Sequence, residues 1–330
     1  MIINKLVVTV LVLALSITLG FSQLKVSATT TMIADIAQNI AGDKLEVSSI
    51  VPTGGDPHTF EPIPADVEKI RTVQLVLTNG LSLEGWMTEF IENSGTKAKV
   101  VVTTKGIETI KSEKYNTPDP HAWMDVANGI IYAENIKNAF VELDEANATT
   151  YEKNFNVYKT KLETLDTEVK TAIESIPAKH RVLITSHDAF QYYGRKYGLK
   201  MDAILGTSTD AEAQISDFIR VQKAIQETGV PAIFIESTIN PQQLQQLAKD
   251  NDISIGGKLF ADSLDKREKK AGTYIGMIQT NTETIVKGLT SPKEKTEITV
   301  GEEEGNNWLF TGIIAALLLG GIFFMMRRLN

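Results

Sequence analysis

Three of the four histidines in this chain stand where side chains could bind a metal ion together. His58 ends the segment VSSIVPTGGDPH, His121 lies in TPDPHAWMD and His187 lies in VLITSHDAF, so each follows a β-like run and precedes a helical pattern. In α/β sheets ligands bind beyond the carboxyl ends of the strands, which is where these positions fall. For any one of them alone, a partly buried histidine with a local hydrogen bond is the simpler interpretation. Three equivalent positions favour a shared site.

Two of these histidines directly follow an Asp-Pro pair. Proline fixes its own φ and keeps the preceding Asp out of helical geometry, so His58 and His121 are presented on stiff backbone. The nearby carboxylate can accept a hydrogen bond from the imidazole and fix its tautomer. Two more carboxylates end predicted strands, Asp262 in KLFADSLD and Glu236 in FIEST, whereas His180 in IPAKHR lies among basic residues and is predicted at the surface.

Three imidazoles and one carboxylate make a complete shell of four ligands for a divalent metal ion. The chain has no cysteine, so a metal site must use histidine and carboxylate, and zinc fits these ligands best. We therefore predict His58, His121, His187 and Asp262 as metal ligands, with Glu236 beside them. Only neutral imidazole binds a metal, so the affinity should drop as the pH falls through ~6.5.

The sequence patterns of common enzymes are missing. Ser186, His187 and Asp188 are consecutive and cannot converge as a catalytic triad, and neither G-x-S-x-G nor H-E-x-x-H occurs. The segment GGDPH lacks the G-K-[ST] of a phosphate-binding loop. We therefore expect a binding protein without catalytic residues. A metal-dependent hydrolase that uses Glu236 as its base is an alternative that requires an open coordination position.

Around these residues, short β-rich runs alternate with helical patterns, first from Leu24 to about Leu143 and again after Pro177. This alternation predicts parallel α/β units. Between them, residues 147–176 contain no Gly or Pro and place apolar residues at steps of three and four, which predicts one long amphipathic helix. The predicted fold is two parallel-sheet α/β lobes joined by a helix that limits their motion, with the metal in the cleft between them.

The beginning of the chain is typical of a secretory signal. Residues 1–23 contain one lysine, an apolar run over Leu6–Leu19 and then small and polar residues. The apolar run is shorter than the ~20 residues that span a bilayer, so we predict cleavage near Gln23 and an exported protein.

The end of the chain is apolar. Trp308–Met326 carries no charge and is followed directly by Arg327 and Arg328. This pattern predicts a C-terminal transmembrane helix with a cytoplasmic tail, a buried core helix being the alternative. The protein would then lie on the periplasmic or extracellular face of the cytoplasmic membrane, anchored by this helix.

Charge and composition narrow the possible partners. The formal net charge is −8, which argues against nucleic-acid binding, and 42% hydrophobic with 22% charged residues argues against disorder or a multi-span membrane protein. We expect a monomer.

The predicted division of the chain is a signal peptide at 1–23, an N-terminal lobe at 24–145, the linking helix at 146–176, a C-terminal lobe at 177–290, a polar linker at 291–307, the transmembrane helix at 308–326 and a tail at 327–330.

Over roughly residues 24–290 the sequence resembles the solute-binding proteins of zinc and manganese ABC transporters, the cluster A-I group of ZnuA- and TroA-like proteins. The resemblance is carried by GGDPHTFEP, DPHAWMD, SHDAFQYYGRKYG and LFADSLD, in the order of that family. It implies two lobes joined by a backbone helix, ligands at His58, His121, His187 and Asp262, and an acidic residue, Glu236, near the site. It also implies capture of zinc or manganese outside the membrane for an ABC permease and its ATPase.

The sequence departs from the family pattern in two features, a missing histidine-rich loop and the C-terminal anchor. His187, where the typical manganese or iron subset has a carboxylate, favours zinc, but the stretch from Thr59 to Pro120 lacks the histidine-rich loop of many zinc members. The transported ion is thus Zn²⁺ or Mn²⁺. The C-terminal transmembrane helix differs from the usual free or lipid-anchored form. A metal-containing surface adhesin is the alternative from another functional class.

Overall fold

In the computed structural model, which describes residues 23–111, 117–210 and 212–290, the first lobe is a four-stranded parallel sheet with helices around it. The strand order is β2-β1-β3-β4, and every pair is parallel. The central strand β3 is buried throughout, as expected for a parallel sheet covered on both faces. The elements are β1 (Leu24–Ala28), α1 (Thr31–Ala41), β2 (Leu45–Ser49), α2 (Pro64–Arg71), β3 (Leu75–Thr78), α3 (Met87–Ser94), β4 (Lys99–Val102) and, after a 3₁₀ turn at Ala122–Met124, α4 (Val126–Leu143).

The second lobe contains two parallel strand pairs, β5-β6 and β7-β8, with β5 lying beside β7. Its β5 and β7 are buried at every position, in agreement with the apolar runs at residues 182–184 and 232–235. The elements are β5 (Val182–Thr185), α6 (Gln191–Tyr197), β6 (Lys200–Ala203), α7 (Ile215–Thr228), β7 (Ala232–Glu236), α8 (Gln242–Asp250), β8 (Ser254–Leu259) and α9 (Tyr274–Thr290).

A single helix, α5 (Ala148–Glu174), connects the two lobes. It packs against α4 and α1 of the first lobe and against α9 of the second. Its buried face consists of the seven apolar residues whose spacing predicts the helix, Tyr151, Phe155, Tyr158, Leu162, Leu165, Val169 and Ile173.

The two lobes share one hydrophobic core on the side of α5. A single cluster of buried side chains runs from Val26 in the first sheet to Phe234 and Leu259 in the second. Tyr274, the first residue of α9, donates its backbone N–H to Asp35 of α1 at 2.9 Å and its hydroxyl to the carbonyl of Trp123 at 2.6 Å. The predicted α/β fold with parallel sheets in two lobes is confirmed, and the residue boundaries of the lobes remain predictions.

The prediction of a transmembrane helix in the fold is wrong. Within the described residues, no helix combines the length and the apolar character needed to cross a membrane. The two longest, α4 with 18 residues and α5 with 27, carry charged side chains such as Glu134 and Lys170 that cannot face lipid. The predicted span at 308–326 lies outside the described residues, as do residues 1–22 of the predicted signal peptide, the predicted linker and the predicted tail. The predicted localisation is corrected for the same reason, because anchoring at the membrane by a C-terminal transmembrane helix is not supported.

Candidate metal centre

Each of the four predicted ligands follows the carboxyl end of a parallel strand. His58 lies in the loop after β2, His121 in the loop after β4, His187 just after β5 and Asp262 just after β8. The carboxyl ends of the strands in both lobes face the cleft, and the structure brings the four side chains together there. One ligand atom from each lies within 4.8 Å of every other.

Most of the measured separations between these atoms are short enough for them to share one metal ion. Nε2 of His121 lies 3.2 Å from Nε2 of His58 and 3.4 Å from Nε2 of His187. The Asp262 carboxylate lies 3.4 Å from His121 Nε2, 3.2 Å from His187 Nε2 and 4.0 Å from His58 Nε2. Zinc bonds of about 2.0–2.1 Å in a tetrahedron separate the ligand atoms by about 3.3 Å. Four of the five distances are close to this value. Oδ1 of Asp262 makes the contacts with His121 and His58, the latter being the longest, and Oδ2 makes the contact with His187.

His121 is held by the aspartate of its own Asp-Pro-His motif. Asp119 Oδ1 accepts the backbone N–H of His121 at 2.9 Å and lies 2.8 Å from its Nδ1, and both side chains are fully buried. The Trp123 ring stands edge-on to the imidazole at 5.3 Å, and its Nε1 donates to the carbonyl of Ala261 in the other lobe at 3.1 Å. With Nδ1 taken by Asp119, Nε2 is the nitrogen that faces the cluster.

Glu236 stands beside His187 as Asp119 stands beside His121, but its side-chain contact with the ring has the geometry of an ion pair and not of a hydrogen bond. One carboxylate oxygen of Glu236 accepts the backbone N–H of His187 at 2.7 Å, and the other lies 2.6 Å from Nδ1. Glu236 is the last residue of β7 and is buried, so it lies behind the imidazole ring and not among the ligand atoms. This is the supporting position that the sequence predicts for it.

His58 depends on contacts that cross the cleft. Its backbone N–H donates to Asp56 Oδ1 at 2.9 Å, and the other oxygen of Asp56 accepts from the Thr209 hydroxyl in the second lobe at 2.6 Å. The N–H of Gly54 donates to Ser263 Oγ at 2.7 Å, also across the cleft. Gly54 has a φ of +82°, a left-handed conformation that favours glycine.

The nearby carboxylates and burial shift the pKa values of the three imidazoles in different directions. Burial lowers the pKa of each, but Asp119 and Asp262 outweigh it and raise the pKa of His121 to about 10. Glu236 and Asp262 likewise raise the pKa of His187 to about 9. At His58 burial prevails over the attraction of Asp262, and the pKa is lowered to about 4. Burial favours the neutral form of Asp262, but the three histidines hold its pKa well below its usual range.

Several residues at the centre were not identified from the sequence. Thr209 and Ser263 touch the His58 loop from the other lobe, and Trp123 bridges the lobes through Ala261. Such contacts have no periodicity or motif, since they form only when the lobes come together. His180, predicted at the surface, is half-buried outside the cluster, with Nδ1 3.2 Å from the carbonyl of Leu289.

Comparison with known proteins gives consistent matches over both lobes. The family model described as zinc-uptake complex component A, periplasmic (ZnuA), matches residues 26–288. The chain is 37% identical over 281 residues to the metal ABC transporter substrate-binding lipoprotein ScbA of Streptococcus cristatus, covering 82% of this chain and 90% of that protein. It is 37% identical over 276 residues to the manganese ABC transporter substrate-binding lipoprotein PsaA of Streptococcus pneumoniae, covering 81% and 89%.

The fold is also similar to that of solved structures. The periplasmic zinc binding protein TroA from Treponema pallidum matches with a TM-score of 0.78 and 32% sequence identity, covering 82% of this chain and 100% of that one. The names of these relatives include both manganese and zinc, so the matches agree on metal binding and differ in the ion.

Proposed function

The chain belongs to the family of periplasmic zinc-uptake component A, and from this premise we propose that His58, His121, His187 and Asp262 bind one divalent ion as transported cargo. The predicted function, extracytoplasmic capture of zinc or manganese for an ABC importer, is confirmed by the family match and the relatives. The observation that carries the ligand assignment is the convergence of three Nε2 atoms and one carboxylate at tetrahedral spacing.

We propose zinc as the preferred ion. Three imidazoles with one carboxylate suit zinc, whereas manganese favours more oxygen ligands in octahedral geometry. The separations of 3.2 to 3.4 Å leave room for the short bonds of a tetrahedral ion. Since the relatives are named for both metals, this choice depends on the donor set of this chain.

We further propose that the site binds its ion without catalysing a reaction. A metal hydrolase needs an open coordination position and a base near it. On the proposed assignment the four protein ligands would fill a tetrahedral shell, and Glu236, the candidate base, contacts Nδ1 on the far side of the His187 ring. The family is one of substrate-binding proteins, which supports this view.

The partners proposed for this chain are an ABC permease and its ATPase, in keeping with the transporters for which the relatives are named. The alternative of a surface adhesin has no support, because the reported relatives are named for metal transport or metal binding. We therefore retain a single function.

Competitive titration of the purified chain with zinc and manganese tests this proposal. We expect one tightly bound zinc ion per chain, weaker manganese binding and loss of tight binding in His187→Ala, because this change removes one of the four ligands. His180→Ala is the matched control, since His180 lies outside the cluster, and it should bind zinc like the unchanged protein. Absence of stoichiometric metal in the unchanged protein, or tight binding by His187→Ala, would overturn the site.

A further inference from the structure

The two Asp-Pro-His motifs use their aspartates differently. In both, Oδ1 of the aspartate accepts the backbone N–H of the histidine, at 2.9 Å in each case. Asp119 also contacts the imidazole of His121, so that histidine is fixed within its own lobe. Asp56 instead directs its second oxygen to the Thr209 hydroxyl of the other lobe. The position of His58 is therefore tied to the arrangement of the lobes.

Thr209 lies in a loop whose backbone is hydrogen-bonded to the residues on either side of His187. The loop after β6 contains Thr209, and its Leu205 donates a backbone hydrogen bond to Ser186 at 2.9 Å. Asp188 donates its N–H to the carbonyl of Gly206 in the same loop at 3.2 Å. These bonds flank His187 on both sides. The hydrogen bond from Thr209 to Asp56 thus connects the loop of His187 with the loop of His58.

The His58 loop also has an anchor in its own lobe. Trp86 Nε1 donates to the carbonyl of Pro57 at 2.9 Å, so the loop stays with the first lobe if the lobes separate. Separation would then break the contacts of Asp56 with Thr209 and of Gly54 with Ser263. His58 would lose the support that places its Nε2 in the cluster.

We propose that Thr209 is a positioning residue that holds His58 in the metal shell through Asp56, so that His58 is the first ligand to leave when the lobes part. This inference rests on the proposed function and specifies how the ion is retained and released. The long separation of 4.0 Å between His58 and Asp262 agrees with His58 being the most loosely placed ligand. His121 and His187 keep their carboxylate supports within their own lobes.

Zinc dissociation into an excess of chelator measures this role. Thr209→Val keeps the shape of the side chain and removes the hydroxyl, so we expect zinc to dissociate about tenfold faster, the effect of losing one charge-assisted hydrogen bond. Thr209→Ser retains a hydroxyl and should restore slow dissociation. Thr228→Val is the matched control, because the Thr228 hydroxyl is half-buried in the same lobe and bonds Ala224 within its own helix. It should leave the rate unchanged.

A double-mutant cycle distinguishes positioning from a general structural effect. If Thr209 acts through Asp56, Thr209→Val should not accelerate dissociation further in an Asp56→Ala background, which keeps all four proposed ligands. An equal acceleration in that background, or an unchanged rate in Thr209→Val alone, overturns the inference while leaving the proposed function intact. Failure of the unchanged protein to bind zinc would overturn both.

Discussion

Carboxylates favour the protonated form of two buried imidazoles at the proposed metal site, so a metal ion bound there would have to displace their protons. Carboxylates raise the pKa of His121 to about 10 and that of His187 to about 9, so both rings are protonated at neutral pH when no metal is bound. Burial lowers the pKa of His58 to about 4, so this ring is neutral. A divalent ion therefore exchanges for two protons, and the charge buried in the site stays the same.

The affinity for zinc should consequently depend steeply on pH. Because the pKa values of His121 and His187 are raised, protons compete with zinc below about pH 9, well above the ~6.5 of an ordinary histidine. We expect the apparent affinity to fall by up to about two log units for each pH unit, with about two protons released per zinc. Competition titrations between about pH 6 and pH 8, with calorimetry in two buffers, measure both quantities. An affinity that does not change over this range would contradict histidine ligation.

Among the secondary-structure elements, α5 is the helix on which both lobes pack. Two tyrosines on its buried face differ in whether the hydroxyl has a hydrogen-bond partner. The Tyr151 hydroxyl donates to Asp144 at 2.6 Å. The Tyr158 hydroxyl is buried and has no hydrogen-bond partner among the described residues. An unpaired buried hydroxyl opposes folding, whereas a paired one supports it.

Replacing each tyrosine by phenylalanine should therefore shift stability in opposite directions. We expect Tyr158→Phe to raise the free energy of unfolding by about 1 kcal/mol, and Tyr151→Phe to lower it by about 1 kcal/mol. Chemical denaturation of the two metal-free variants gives these values, each protein serving as the other's control. A loss of stability in Tyr158→Phe would show that its hydroxyl is paired.

The elements themselves could be predicted because their patterns are local. The apolar spacing from Tyr151 to Ile173 predicts α5, and the alternation of runs predicts parallel strands whose carboxyl ends carry the four ligand residues. The two Asp-Pro-His motifs are the same in sequence, yet the partner of Asp56 is Thr209 and that of Asp119 is its own histidine ring. This difference arises from tertiary contacts, which local patterns do not encode.

At the scale of the whole molecule, the shared core restricts how the lobes move. Helix α9 leaves the second lobe and packs on α5 and on α1 of the first, and Tyr274 bonds both Asp35 and Trp123 there. A wide hinge opening would expose this apolar surface to water, at about 25 cal/mol for each Å². Small displacements of the cleft loops cost far less.

Small-angle scattering of the metal-free and zinc-bound protein should therefore give nearly the same curve. The reason is that a small separation of the lobes at the cleft is enough to break the contacts of Asp56 with Thr209 and of Gly54 with Ser263, so release does not require a wide hinge opening. His187→Ala, measured with and without zinc, controls for effects of zinc other than site binding. A clearly larger radius of gyration without metal would contradict a restricted hinge.

The contact between α9 and α1 also determines when the shared core can form during synthesis of the chain. Helix α1, the first described helix, packs in part on α9, the last described helix. The shared core can therefore form only after nearly the whole described chain has been made. Contacts this distant in sequence make folding slow. The proposed ligands come from loops spread from His58 to Asp262, and a partial chain has no complete set. If these four residues are the ligands, the complete site forms only after Asp262 has been made and the lobes have come together.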